Sequence, residues 1–231
     1  QLLYGVATDT NTVMVAGSTV AVELPAVESV FAGEYVAVLA VGADRLILGA
    51  VSADQWNDLR VPLSTTKVGS TNPPTEVIWR NNGAGSTGIS GLRFSATQLN
   101  QVFFEAQLPH SYKEGSRIAP HCHFTTVSTP TVGQTVRFGL EYTYSNVGGV
   151  FPATTIIYAE RTFVTGDAAY QQYIGGFDPD IEDANLKVSA MISCRLFRDA
   201  TSDTYASDAI VLEADFHYQV DALGSSAELV K

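Results

Sequence analysis

LKVSAMISCRLF, residues 186–197, alternates in character along its whole length. Leu186, Val188, Ala190, Ile192, Cys194 and Leu196 form one set. Lys187, Ser189, Met191, Ser193, Arg195 and Phe197 form the other, polar except for Met191 and Phe197. Period two is the mark of extended backbone, where successive side chains point to opposite faces. The same reading holds for Val136–Ser145 and for Ile210–Val220, where Glu213, Asp215, His217 and Gln219 interleave with an apolar set. Thr, Val, Ile, Tyr and Phe dominate these segments, as strands prefer, and helical periodicity is nearly absent. Each segment reads as a strand with one core face and one polar face. The chain is expected to be all-β.

Working outward, a boundary falls near residues 54–60. Before it the alternation predicts five short strands, Leu2–Thr8, Thr12–Val15, Thr19–Leu24, Tyr35–Val41 and Arg45–Val51, separated by Gly and Asp/Asn turns. That pattern suits a small OB-like β-barrel over residues 1–55, an attachment or spacer domain. Residues 56–231 then form the second domain. It opens on an extended arm, Trp56–Asn82, marked by Pro62, Pro73 and Pro74. Eight further strands are predicted at Thr75–Arg80, Leu92–Ala96, Gln101–Leu108, Arg117–Val127, Thr135–Ser145, Thr154–Val164, Leu186–Arg198 and Asp208–Val220. Eight antiparallel strands with Pro/Gly-rich connections point to a jelly-roll sandwich. An immunoglobulin-like sandwich, with fewer strands in a shorter chain, is the alternative. The acidic, aromatic stretch Gly166–Asp183 is the longest gap and reads as a surface excursion that touches something.

Charge narrows the functional classes. Thirteen Lys and Arg stand against 24 Asp and Glu, a net charge of −11 over 231 residues. Such a surface repels phosphate backbones, so nucleic-acid binding is not expected. No apolar run reaches the ~20 residues that a spanning helix needs, so membrane insertion is not expected either. No signal-peptide pattern opens the sequence, and Gln1 is what a chain processed or cut upstream would show. Cys122 and Cys194 sit at apolar phases of their strands, outside any CxxC or zinc spacing, and read as core thiols.

The most chemically suggestive stretch is HSYKEGSRIAPHCH, carrying His110, His121 and His123, with His217 far along the chain. Gly115 followed by His121-Cys122-His123 matches the opening of the cupin metal motif, and two His at i and i+2 share a strand face. The cupin Glu is missing, however, since Val127 and Ser128 stand where it belongs. Phase weighs further against a metal centre inside a barrel. Ile118, Pro120, Cys122 and Phe124 take the core side, so His121 and His123 point outward. If this strand lies between those bearing Arg195 and Glu141, the histidines join Arg137, Glu141, Ser193 and Arg195, with Met191 and Phe197 interleaved. That mixture suits a subunit interface. The interface candidates are therefore His121, His123, Arg137, Glu141, Met191, Arg195 and Phe197. No catalytic or cofactor-binding residue is assigned and no cofactor is expected; His121 and His123 remain weak metal candidates. Protonation of imidazoles beside Arg137 and Arg195 is expected to make the assembly acid-sensitive near pH 6, whereas a closer Glu141 would reverse the sign.

Other motifs carry less. Asp178, Asp180, Glu182 and Asp183 lack the EF-hand spacing and read as a solvated loop. The glycines of residues 81–91 have no strand–GxGxxG–helix context and imply no phosphate cradle. No G-x-S-x-G is present. On its residues alone the chain reads as a soluble acidic β protein in which no residue pattern marks an active site.

Three segments together, Trp56–Gly88, Gln107–Phe124 and Cys194–Ser225, resemble a family of virion proteins of tailed bacteriophages and prophages, of the head-fibre, tail-fibre or decoration kind. The residues that carry the resemblance are Pro109-His110, Gly115, His121-x-His123 and Glu213-x-Asp215-Phe216-His217-Tyr218. The segment Tyr35–Val51 is similar to OB-type modules of phage tail and fibre proteins. The resemblance implies a non-enzymatic structural protein on the exterior of the phage particle, head or tail, assembled as a homotrimeric fibre, spike or decoration. Its implied partners are itself, other virion proteins and a host surface glycan. Two alternatives stay open: a carbohydrate-binding, receptor-reading module of a tail tip served by the Gly166–Asp183 loop, and a cupin-like metalloprotein using His121 and His123.

The join between the two domains is a polar stretch with little hydrophobic continuity (Ser52, Asp54, Gln55 and Asn57). Limited proteolysis should cut there first and release a fragment beginning near Trp56 that keeps its β circular-dichroism signal. A fragment that unfolds would show that the two parts share one core.

Overall fold

Period-two segments become strands wherever a neighbour takes up their backbone donors and acceptors, and the computed structural model shows which neighbour each one finds. It describes residues 12–15, 18–21, 35–40, 46–51, 55–225 and 227–228. The chain divides into two compact units, Gln1–Gln55 and Trp56–Lys231. In the first unit β1 (Thr12–Val15) pairs antiparallel with β2 (Ser18–Ala21), and β3 (Tyr35–Ala40) with β4 (Leu46–Val51). The predicted strand Leu2–Thr8, and with it the closure of these hairpins into an OB-like barrel, lies outside the described residues.

The second unit is built on β5 (Gln55–Pro62), β6 (Lys67–Val68), β7 (Thr75–Arg80), β8 (Ile89–Phe94), β9 (Gln101–Gln107), β10 (Ile118–Thr126), β11 (Thr135–Ser145), β12 (Thr155–Thr162), β13 (Gln172–Gly176), β14 (Met191–Arg198) and β15 (Ala209–Val220). One sheet runs β13-β10-β15-β8-β7, with β5 also paired to β15, and the other runs β12-β11-β14-β9-β6. Strands β8 to β15, taken four and four, give β13-β10-β15-β8 facing β12-β11-β14-β9. That is the jelly-roll arrangement, two four-stranded sheets made by strands that repeatedly cross between layers.

Eight is the predicted number of jelly-roll strands, but the members differ. Strand β7 is an added edge, and β13 lies inside Gly166–Asp183, which is no free excursion. Its Tyr173 and Phe177 are core residues, as is Ile181 just beyond, and β13 hydrogen-bonds to β10 along the sheet edge. The arm Trp56–Asn82 is likewise largely structured, through β5, a 3-10 turn at Leu63–Thr65, β6 and the whole of β7. The strand predicted from Leu186 begins only at Met191, because Ser189 holds a positive φ of 63° that interrupts the extended chain.

Between the sheets, aromatic rings from facing strands meet edge to face or tilted. Phe124 of β10 lies 5.2 Å from Phe138 of β11, and Phe104 of β9 lies 6.3 Å from Phe216 of β15. Such pairs contribute beyond the area they bury. A bulge shifts the core phase once. In the β10/β15 ladder His123 pairs with Glu213 but Phe124 pairs with Val211, so Leu212 is extra. Simple alternation places Ile210 and Leu212 in the core; because of the bulge Ala209 and Val211, before it, take that place.

One charge is buried completely. Arg198, at the end of β14, is 0% exposed. Its Nε and Nη2 donate to the two Asp203 carboxylate oxygens (2.7 and 3.1 Å), Nη1 to the carbonyls of Phe94 (3.2 Å) and Ser207 (2.8 Å), and Nη2 also to that of Tyr205 (2.6 Å). Five bonds use all five donors of the guanidinium. Arg198→Met, which strands the Asp203 carboxylate and three carbonyls, should lower unfolding free energy by about 3–5 kcal/mol in urea denaturation followed by tryptophan fluorescence.

Candidate functional site

A strand presents every second side chain to one face, so an HxH on one strand and an ExDxH on the next make a polar grid if their registers agree. They do agree. β10 and β15 are antiparallel neighbours in which His121 lies opposite Asp215 and His123 opposite Glu213, while His217 follows two residues on. β5 adds Asp58 and Arg60. The grid lies on the outer face, since Cys122, Phe124, Ala214 and Phe216 take the core side.

Within the grid, Asp215 is the centre. Its side chain is 5% exposed, against 7% for His121, 19% for His123 and 46% for His217. His121 Nε2 is in close ion-pair contact with Asp215 Oδ1, a buried oxygen with no other hydrogen-bond partner. His123 Nε2 approaches the other oxygen, Oδ2, at 3.3 Å, and its Nδ1 is 2.8 Å from the Gln172 amide of β13. His217 Nε2 meets Asp58 Oδ1 at 2.8 Å. The His121 ring lies 4.2 Å from that of His217 and 5.0 Å from that of His123. Arg60 forms a two-pronged bond to Glu213, 2.7 Å at each prong.

The other interface candidates are elsewhere. Glu141 and Arg195 are directly opposed on β11 and β14, in the second sheet, so the histidine strand does not lie between them. The reason is topological: residues 127–134 carry the chain from one sheet to the other and do not form a hairpin, so β10 pairs with β13 and β15. Arg195 donates to Glu141 (Nε, 2.7 Å) and to Gln101 (2.9 Å). The Thr154 hydroxyl and then Arg195 hold the Glu141 carboxyl below its ordinary value, against the opposing effect of burial. Phe197 faces outward yet is only 5% exposed, because it lies across Gly139 under Arg195 and Tyr158. It offers little to a partner. Arg137 stacks on Tyr158 at 4.1 Å, and Met191 remains 37% exposed.

His110 joins neither group. It hydrogen-bonds Ser189 at 3.2 Å and meets Ser225 closely. Cys122 and Cys194 are buried thiols whose pKa burial pushes up, which leaves them unreactive.

Sequence reasoning named His217 but did not join it to the HxH, and it missed Asp215 and Asp58 as members of the site. The signal was present in Glu213-x-Asp215-x-His217, one face of one strand; what was lacking was the pairing of β15 with β10.

The expected acid sensitivity is overturned with the topology. Burial lowers the His121 pKa, but the Asp215 carboxylate, the Ala119 carbonyl and Asp58 together outweigh it and hold the value above that of an ordinary imidazole. A raised pKa means the folded chain binds the proton more tightly than the unfolded chain. Stability from this group is therefore complete below about pH 6.5 and is lost as pH rises through the folded value. In chelator-treated protein the thermal midpoint should fall from pH 6 toward pH 8, and His121→Gln should flatten that slope. A midpoint that instead rises over this range, with the slope kept in His121→Gln, would contradict the assignment.

No protein-family model matches the chain, and no curated protein matches it in sequence. Solved structures match it at low similarity. A chain of infectious bursal disease virus, Gx strain, is 11% identical with a TM-score of 0.38; the match covers 83% of this chain but only 40% of the viral one. The CBM22-1–GH10 modules of Clostridium thermocellum xylanase 10B, complexed with xylohexaose, are 13% identical with a TM-score of 0.32, covering 76% of this chain and 28% of that one. TmCBM61, in complex with β-1,4-galactotriose, is 12% identical with a TM-score of 0.29, covering 71% and 88%.

Proposed function

We propose that this chain is a non-enzymatic structural protein of a bacteriophage virion, standing on the particle exterior as a homotrimer. The observation that carries this reading is an apolar rim at one end of the second sheet. Val147, Val150 and Phe151 in the β11–β12 connection are exposed, at 61, 90 and 48%, as are Ile156 on β12 and Met191 at the start of β14. Hydrogen bonds from Thr143 to the Pro152 carbonyl (2.9 Å) and from Thr154 to Glu141 (2.7 Å) fold the connection back along β11, which gathers these side chains. Exposed apolar side chains of this kind mark a protein–protein contact. The sheet face beside it is closed by internal ion pairs and cation–π stacks, so a partner meets the rim and not the charges. The sequence resemblance adds to this, since its HxH and ExDFHY motifs are neighbouring ladder strands and form one structural unit.

The chemistry on offer supports a non-catalytic role. A cleft of about 400 Å³ between Leu63–Val68, β7, β8 and β15 holds one titratable side chain, Glu76, which is already bonded to Ser90 at 2.7 Å. It offers no pair of groups for acid–base work. The sugar-binding alternative needs open aromatic faces on the 166–183 segment. Tyr173 and Phe177 are buried there, and Arg80 stacks on Tyr170 at 4.3 Å.

Light scattering of the purified chain should give three times its own mass, and Val150→Asp with Phe151→Asp should reduce it to one while circular dichroism stays unchanged. A wild-type protein that is monomeric at micromolar concentration would sink the reading.

A further inference from the structure

We propose that His121, Asp215 and His217 bind one divalent transition-metal ion, of the zinc class, on the outer face of the β10/β15 ladder. One ligand atom from each of the three lies within 4.8 Å of the other two. A tetrahedral ion with bonds of about 2.0–2.2 Å holds its ligands roughly 3.3–3.6 Å apart, so the close His121–Asp215 pair must open by about 1 Å and the half-exposed His217 rotate inward to complete the set.

The independent sign is Asp215. Its side chain is 5% exposed, and Oδ1 is buried with no hydrogen-bond partner besides the imidazole nitrogen it faces, His121 Nε2. The close contact of Nε2 with Oδ1 calls for a positive charge, a proton on His121 in the metal-free chain, which a metal ion drawing also on His217 replaces.

The surroundings are ordered as metal sites require, with each ligand held by a second group. His123 reaches Asp215 Oδ2 at 3.3 Å, leaving Oδ1 for the ion, and is itself positioned by Gln172 at 2.8 Å. Asp58 holds His217 Nε2 at 2.8 Å, which fixes Nδ1 as the ligating nitrogen. Two imidazoles and one carboxylate without a thiolate favour zinc and its first-row neighbours over calcium or magnesium. The fourth position opens to solvent on the His217 side. Through Asp58 the site joins β5 to β15 and β10, so the ion fastens the first strand of the second unit to its sheet. The sequence candidate pair, His121 with His123, is thus replaced by a set in which His123 positions Asp215.

The full chain, stripped with chelator and dialysed against zinc chloride, should retain about one ion per chain by plasma mass spectrometry. Cobalt(II) in its place should give a visible absorption band. His217→Ala, at a half-exposed position where folding is not at stake, should weaken zinc affinity at least ~100-fold, and Asp58→Asn about 10–100-fold. His110→Gln, at the fourth histidine, should leave it unchanged. Failure of the wild-type chain to retain zinc or cobalt would overturn the proposal, and so would retention that His217→Ala does not diminish.

Discussion

The Arg198 guanidinium fixes how the two sheets meet. β14 belongs to one sheet and β15 to the other, and the ten residues between them must carry the chain across the layer. Arg198 ends β14 and collects Asp203, Tyr205 and Ser207 from that crossing together with the Phe94 carbonyl at the end of β8. All five of its donors are used, so the crossing has one conformation that satisfies them. β15 therefore enters its sheet at a set register. In a ladder of period two, a slip of one residue would turn every side chain to the opposite face.

That register matters because of the bulge at Leu212. Before it, Ala209 and Val211 face the core; beyond it, Ala214, Phe216 and Tyr218 do. The extra residue puts Glu213, Asp215 and His217 together on the outside, opposite His123 and His121. Two strands remote in sequence thus deliver their imidazoles and carboxylates to one patch. Bulges commonly re-aim side chains in this way.

How much of this could be read from sequence depends on whether the signal was local. Alternation alone located β7, β11 and the later part of β14, because it reports burial of one face. It missed β13, where Gly175 and Gly176 interrupt an apolar pattern and the burial comes from Tyr173 and Phe177 closing the sheet edge. It assigned Phe197 to an open face without seeing that Gly139, directly opposite, leaves room for the ring to lie flat. The error over the histidines was of another kind. Their outward phase was legible in His121-Cys122-His123, but which strand stood beside them was a property of topology, and no local pattern carries that. Arg198 shows the same limit: an Arg at a strand end reads as solvated until its acceptors, up to 104 residues away, are in place.

The two outer faces balance their charges differently. On the second sheet the Arg195 guanidinium faces Glu141, and Arg137 approaches Asp199 at 3.5 Å, so carboxylates there meet fixed cations. On the first sheet three carboxylates, Asp58, Glu213 and Asp215, share one guanidinium, and Arg60 spends both prongs on Glu213. Asp215, the most buried of the three, faces only imidazoles. A buried carboxylate without a cation is costly, by several kcal/mol even after relaxation. Its charge must then be met by a proton on an imidazole or by an ion held among imidazoles. The strands of this sheet are thus joined at their centre by a group whose compensation depends on pH or on metal supply, whereas the other sheet is closed by permanent charges.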